Sequence, residues 1–521
     1  MEKKFGCLTM TLLILNAIIF TLVITSCSNN KDNPFELFIS TKWDNVFPFN
    51  ENVAFIEKDG RFGIIGSDGK VIVDPSTTDW TKLNIDTMSF KEGLAAIGTD
   101  EQGFGYINTK GEVVIPYKWT YAESFYDGYA CVGDEDAYYI INKNGEVLFD
   151  LTMSWYDREG DLLYYNSFVG NTTGCVNLKQ NILIGTPNWD YVGFFREGRS
   201  AVFKGEKWGF VDDSGKIIIE PIWDNVSDFY EGYAVVNSGG SWDEENEYNS
   251  SGKNGFINTD GVVVLALQWD TAYPFNKAGI TAVETEQKWQ LINKEGLVLQ
   301  ELNYSEVFPL EGTDNFLVKN GELFGIINSQ GKIILNIEYD NIEMQDKTYI
   351  TVKGDKFGVY NLNGDELFLN EWDNAFSENN IIVAVKDTNV SCSFIDNNGK
   401  IISDGWTSAI KFSGGFAAVN SGGSINNEGN FTGGKWGFIN EAGELKITPS
   451  YDYIKSFSEG FAAVNKGGNV KNDIVEGGKW GYINENGELL GKLEWDYAAP
   501  FINGVAAVCK AGKWGFIKLK K

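Results

Sequence analysis

Between residues 41 and 521 the apolar residues fall in short alternating runs, such as YAVVN (233–237) and FAAVN (416–420), separated by clusters of Gly and Asn. A period of two bounded by turn residues predicts half-buried β-strands. No stretch there sustains a 3.6-residue apolar period, so few helices are expected. Three strand types recur in fixed order: a (GYAVV, 232–236), b (KWGFI, 435–439) and c (KIIIEP, 216–221). Strands b and c are joined by Asn-x-x-Gly, as in NTKG (108–111), NKNG (142–145) and NENG (484–487). That connection suits a hairpin whose Gly takes positive φ.

A marker aromatic, usually Trp-Asp, sets the period. It falls at positions 43, 80, 119, 155, 189, 223, 269, 304, 339, 372, 406, 451 and 495, mostly about 35 residues apart. Thirteen such units are the signature of a repeat architecture. Three gaps stretch to about 45 because a loop is lengthened at the same place, at 238–252, 421–434 and 466–478. Six residues after the marker comes a Phe, as at Phe49, Phe125, Phe229, Phe457 and Phe501. Proline keeps the register too: Pro75, Pro116, Pro187, Pro221 and Pro449 are expected to end strand c, where no ladder N–H is needed.

Four copies of Lys-Trp-Gly-[Phe/Tyr]-[Ile/Val], at 207, 435, 479 and 513, resemble the WG (KWG) repeat of bacterial proteins. The resemblance covers residues 36–521. It implies tandem all-β units in proteins that are often exported, with no common activity and no catalytic residues to transfer. The expected fold is an open or spiralling stack of thirteen three-stranded units, since propellers usually have about 4–8 blades. A closed propeller-like ring is the alternative. ELFISTKW before Trp43 reads as a strand c without its a and b, and the chain ends on a strand b without its c.

Composition narrows the chemistry. The formal charge of −29 repels nucleic acid phosphates and anionic headgroups, so no nucleic acid partner is expected. The chain has no histidine, which removes Ser-His and Cys-His pairs and imidazole ligands. No CxxC occurs among the six cysteines, and those at 131, 175, 392 and 509 read as buried free thiols. Residues 1–26 read as a secretory signal ending in Ile24-Thr25-Ser26 before Cys27, which resembles a bacterial lipobox. Cys27 is then the lipidated N-terminus of a membrane-anchored, exported lipoprotein, and residues 27–35 are a polar tether.

The tryptophans, locked to the register, read mainly as core; a row of exposed rings stacking on envelope glycans or peptidoglycan is the alternative. The Asp after the marker, as in Asp44, Asp224 and Asp496, is expected to fix a turn through backbone N–H groups. In the strand-b slot a flat ring is followed by Gly, as if a neighbouring ring or backbone approached closely there. Candidate binding residues lie in the lengthened loops: Trp242, Asp243, Glu244 and Glu245; Asn427, Asn430 and Phe431; Asn472 and Asp473. The acidic run 243–247 could hold a cation loosely, but no metal site or cofactor is expected. The reading is a non-catalytic binding or scaffold protein of the cell envelope, engaging an unknown protein through loops on one face. A histidine-free hydrolase is the third reading.

Overall fold

The computed structural model describes residues 33–520, apart from 84–87, 135–136, 152, 168–171, 186–187, 241, 244–247, 250, 379–380, 386–391, 397–398, 426–430 and 472–473. Among the described residues the only helical element is the single turn Pro75–Thr77. The remainder forms thirteen four-stranded antiparallel sheets and one two-stranded ribbon. In each sheet a short strand precedes a, b and c. The first sheet is Asn45–Val46, Val53–Lys58, Arg61–Gly66 and Val71–Val73. The expected three-stranded unit is therefore corrected to four. The extra strand often has only two residues, too short to carry a periodic signal.

The open stack is also corrected, in favour of the ring. Phe35–Trp43 is strand c of the thirteenth sheet and pairs antiparallel with Lys513–Leu519, its strand b. The first described strand thus completes the last sheet, and thirteen blades close into a propeller. We number them from Asn45 as blades 1 to 13.

Strands a and b are buried on both faces because each blade is sandwiched between two others. In blade 2, Leu94 and Ala96 face blade 3, whereas Ala95 and Ile97 face blade 1. Period-two alternation here separates two neighbours, not core from water. Thirteen apolar clusters follow, one at each blade–blade junction. The Phe six residues after the marker meets a ring on strand b of the preceding blade. Centroids are 4.9 Å apart for Tyr106–Phe125, 4.8 Å for Phe210–Phe229 and 4.9 Å for Phe516–Phe49. Such a ring carries about 3–5 kcal/mol when truncated to Ala in a core.

The marker Trp and the strand-b Trp are cross-strand partners: Trp208 faces Trp223, Trp480 faces Trp495 and Trp514 faces Trp43. Between them strand c bulges, skipping from Ile219 to Trp223 while strand b advances only two residues. The bulge presses backbone onto the Gly of the motif. A Cβ on Gly209 would stand 2.5 Å from the Ile219 carbonyl oxygen, and one on Gly105 2.5 Å from that of Ile115. The expected close approach is thus made by backbone. Pro116, Pro221 and Pro449 lie inside strand c at these bulges, not at its end. An edge strand tolerates them because no ladder N–H is required there.

Candidate functional site

In every blade the a–b turn and the junction from strand c to the next blade lie at the same end of the strands. We call this the ribbon face, because all three lengthened connections leave from it. In blade 11 strands a and b extend as Phe416–Ile425 and Phe431–Asn440, paired out to Ile425 and Phe431. In blade 12 they run as Phe461–Lys471 and Ile474–Asn484, paired out to Lys471 and Ile474. In blade 6 a separate ribbon pairs Trp242–Asp243 with Tyr248–Asn249. The lengthened loops are therefore β-ribbons.

A buried asparagine seats each ribbon. Asn465 Oδ1 accepts the Gly468 N–H at 3.1 Å and its Nδ2 donates to the Gly477 carbonyl at 3.3 Å. Asn420 accepts from Gly423 N–H at 3.2 Å and Thr407 Oγ1 at 2.7 Å. Asn237 Nδ2 donates to Asn254 Oδ1 at 3.2 Å. Glycine must follow, since a Cβ on Gly468 would collide with the Asn465 amide. Sequence reasoning missed these three asparagines, yet the signal was present. Asn stands at this position of strand a, directly before a lengthened connection, at 237, 420 and 465.

The ribbons of blades 11 and 12 flank a cleft of about 330 Å3, lined by Ser421, Lys435, Asp452, Asn469, Val470 and backbone of Gly422, Gly433, Gly434 and Gly468. Of the candidate residues, Trp242 and Asp243 form one strand of the blade 6 ribbon and Phe431 opens the returning strand in blade 11. Glu244, Glu245, Asn427, Asn430, Asn472 and Asp473 lie outside the described residues, as does Cys27.

Beneath the ribbons runs a ladder of rings. Trp436, Tyr453, Trp480, Tyr497 and Trp514 follow one another with centroids 6.2, 6.1, 5.8 and 5.3 Å apart. Trp436 and Trp480 are buried, and Tyr497 is 37% exposed. Lys455 Nζ donates to the Tyr497 hydroxyl and sits 3.8 Å from that ring centroid and 5.4 Å from that of Trp480. Burial holds its ammonium down to about 8. The marker tryptophans 43, 80, 119, 189, 223, 269, 372 and 495 are buried in the core, whereas Trp208, Trp406 and Trp514 are half-buried.

The Asp after the marker is a clasp between blades. In Asp224, Oδ1 pairs with Lys207 Nζ of blade 5 at 2.5 Å while Oδ2 accepts Gly239 N–H of blade 6 at 2.8 Å. Asp270 repeats this with Lys253 at 2.5 Å and Glu286 N–H at 2.8 Å. Asp44 does so with Lys513 and Asp59 N–H, and the Lys513 hydrogen bond holds its carboxyl below the usual range. The expected turn-fixing role holds, with a lysine added. Opposite, on the turn face, carboxylates at positive φ reach the next blade: Glu92 accepts from Gly128 at 3.0 Å and Glu197 from Gly232 at 3.0 Å. Burial pushes the Cys175 thiol up to about 12 and the Cys509 thiol up to about 11, which keeps both protonated at neutral pH. Among the described residues no group of carboxylates and thiols is placed to hold a metal, and no helix is long and apolar enough to cross a membrane.

The model of the WG-containing repeat matches nine segments: 35–62, 104–136, 174–208, 208–242, 255–289, 324–356, 393–423, 436–469 and 480–514. Together they span more than half of the chain. The chain belongs to the WG-repeat family. No curated protein matches this WG-repeat chain. Solved structures similar to it include a eukaryotic initiation factor (11% identity, TM-score 0.33, 70% of this chain and 98% of that one). Apo AztD from Citrobacter koseri is another (14%, 0.28, 53% and 93%). A third is PorZ, a surface component of the type-IX secretion system of Porphyromonas gingivalis (10%, 0.22, 91% and 72%).

Proposed function

We propose that this WG-repeat propeller is a non-catalytic binding scaffold of the cell envelope, tethered by lipid on Cys27, that holds a protein partner with its ribbon face. One observation carries the reading. All three lengthened connections leave one face as β-ribbons, two of them on adjacent blades across a cleft of about 330 Å3. Ribbon edges expose unpaired backbone donors and acceptors, a surface that recognises another chain by strand addition. The blades beneath need no ribbon to close: in blades 1, 2, 5, 7, 8, 9 and 13 only two or three residues join strands a and b.

The test removes residues 424–432 and 469–476, leaving the Gly423–Gly433 and Gly468–Gly477 pairs to close each turn. Crosslinking in the native envelope compares this variant with the full chain. Loss of captured protein with an unchanged circular dichroism spectrum and melting temperature is the expected result. Retained capture by a folded variant overturns the ribbon reading. For the tether, Cys27→Ala is expected to release the protein from the membrane fraction and block precursor processing; unchanged attachment overturns it. The glycan reading keeps one feature, the exposed edge of Tyr497 in the ring ladder. Quenching of tryptophan fluorescence by envelope saccharides would bring it forward.

A further inference from the structure

Several lysines on the ribbon face are neutralised in two recurring ways. The lysine opening strand b pairs with the Asp after the next marker, as in Lys207–Asp224, Lys253–Asp270, Lys356–Asp373, Lys435–Asp452, Lys479–Asp496 and Lys513–Asp44. The lysine closing strand a can pair with a Glu just before the preceding marker: Lys353 with Glu338 and Lys510 with Glu494, both at 2.7 Å.

Blade 1 breaks both patterns. Its strand a closes on Lys58, and the residue before the preceding marker is Lys42. Its strand b opens on Arg61, and the residue after the next marker, Trp80, is Thr81. Two like charges therefore occupy a slot that holds an ion pair in Lys353–Glu338 and Lys510–Glu494, and Arg61 faces a threonine instead of a carboxylate. None of the three cations has a salt bridge within 4.0 Å among the described residues, whereas their counterparts Lys510, Lys513 and Glu494 do. Lys42, Lys58 and Arg61 all line one open cleft of about 320 Å3 between blades 13 and 1, with Trp43, Asp59, Asp74 and Ser76. Lys42 Nζ lies 4.6 Å over the Trp43 ring. Of the two acids, Asp74 is committed through Oδ1 to the N–H and hydroxyl of Ser76, at 2.9 and 2.7 Å.

We propose that this cleft binds a phosphate-type oxyanion. Such a group accepts a bidentate pair of hydrogen bonds from the guanidinium and relieves the Lys42–Lys58 repulsion. Charge supports this as a built feature. In a chain carrying −29, three cations without a salt bridge line one cleft, with Lys42 and Thr81 at register positions that carry Glu494 and Asp224 in other blades. Because the cations are exposed, binding is expected to weaken steeply with salt.

The experiment titrates the mature chain with inorganic phosphate, glucose 6-phosphate, and vesicles of phosphatidylglycerol in phosphatidylcholine. Calorimetry is run against chloride at equal ionic strength. Two variants introduce pairings seen elsewhere in the ring: Lys42→Glu offers Lys58 the partner that Lys353 and Lys510 have, and Thr81→Asp offers Arg61 the one that Lys207 has. Both are expected to keep the melting temperature and to weaken phosphate binding at least tenfold. Binding of the soluble phosphates alone assigns a soluble ligand; binding of the vesicles alone assigns a lipid headgroup; either supports the site. No phosphate-specific binding by the full chain, or equal binding by both folded variants, overturns it.

Discussion

Blades 12 and 13 share one sheet plan, but only one of them is a continuous piece of chain. In blade 12 strands b and c, Ile474–Asn484 and Leu489–Trp495, are joined by an Asn-x-x-Gly turn. There Asn484 Oδ1 accepts the N–H of Asn486 at 3.1 Å and of Glu488 at 3.0 Å. Blade 13 lacks that turn, because its strand c comes from the other end of the chain. What replaces the turn is length and rings. Strand c is nine residues there against seven in blade 12. The added pairs are Phe35↔Leu519 and Glu36↔Lys518, with a Lys518–Glu36 ion pair at 3.3 Å. Phe35 packs against Phe501, Tyr482 and Phe461 at 5.3, 5.4 and 5.6 Å. The clasps are unchanged across the break. Lys513 still meets Asp44, Phe516 still meets Phe49, and the carbonyl of Ile39 still presses on Gly515. Strand c is held by what it packs on, and its turn is dispensable where other contacts pin the register.

The largest test of this contrast removes the strand. Deleting residues 28–43 leaves blade 13 with three strands and uncovers Phe501, Phe516 and Ile517. Cooperative unfolding is expected to be lost, and size-exclusion chromatography should show association through the open edge. A milder cut is Phe35→Ala, expected to cost about 3–5 kcal/mol. Chemical denaturation should show that cost exceeding the cost of opening the Asn484 turn by Asn484→Ala, about 1 kcal/mol. Equal costs would mean that packing and turn are interchangeable. Next in size is the motif glycine. Gly515→Val should destabilise more than Gly481→Val, where a Cβ would find its nearest neighbour at 2.9 Å instead of meeting the Ile39 carbonyl closer still. An overpacked site of this kind costs about 1–3 kcal/mol.

Much of this was legible from residues alone, and the remainder failed for identifiable reasons. The thirteen markers, the strand-b glycine and the insertion point of the ribbons follow from periodicity and local sterics. Asn225–Val226 could not be read as a strand, because two residues carry no period. Closure was visible as a possibility in ELFISTKW, but the choice between ring and stack rests on pairing between Phe35 and Leu519 at opposite ends of the chain. The lone charges Lys42 and Arg61 look ordinary in sequence. They stand out only once Lys353–Glu338 and Lys207–Asp224 define which positions face each other.

Lys455 separates the junction of blades 12 and 13 from the next one, where the equivalent residue is Ala499. Its folded value of about 8 lies below the unfolded 10.5 because burial disfavours the ammonium. Between those values the unfolded chain binds more protons than the native one, so this residue makes stability rise with pH from about 8 to 10.5. Below pH 8 the penalty is constant. Lys455→Met is expected to stabilise the protein by about 1–2 kcal/mol at pH 7 and to flatten that rise. Urea midpoints at pH 7 and 10 check both; an unchanged slope would place the amine in water.

The smallest expected effect concerns the clasps on either side of the break. Asp44 bridges the C-terminal Lys513 to Asp59 N–H, and Asp270 bridges Lys253 to Glu286 N–H within continuous chain. In both, the lysine hydrogen bond holds the carboxyl below 3.8. A depressed folded value means the unfolded state binds more protons in that window. The clasp therefore contributes fully above about pH 4 and fades as pH falls through the folded value. The carboxylates are part-exposed, at 31% and 39%, so solvent screening limits each pair to about 0.5–1 kcal/mol. Asp44→Asn and Asp270→Asn should lose that amount at pH 7 and progressively less as the pH falls below about 4. If the break in blade 13 makes its junction depend on the clasp, Asp44→Asn will cost more than Asp270→Asn in urea titrations at low salt. Equal costs mean that Phe516–Phe49 packing already holds that junction as firmly as any other.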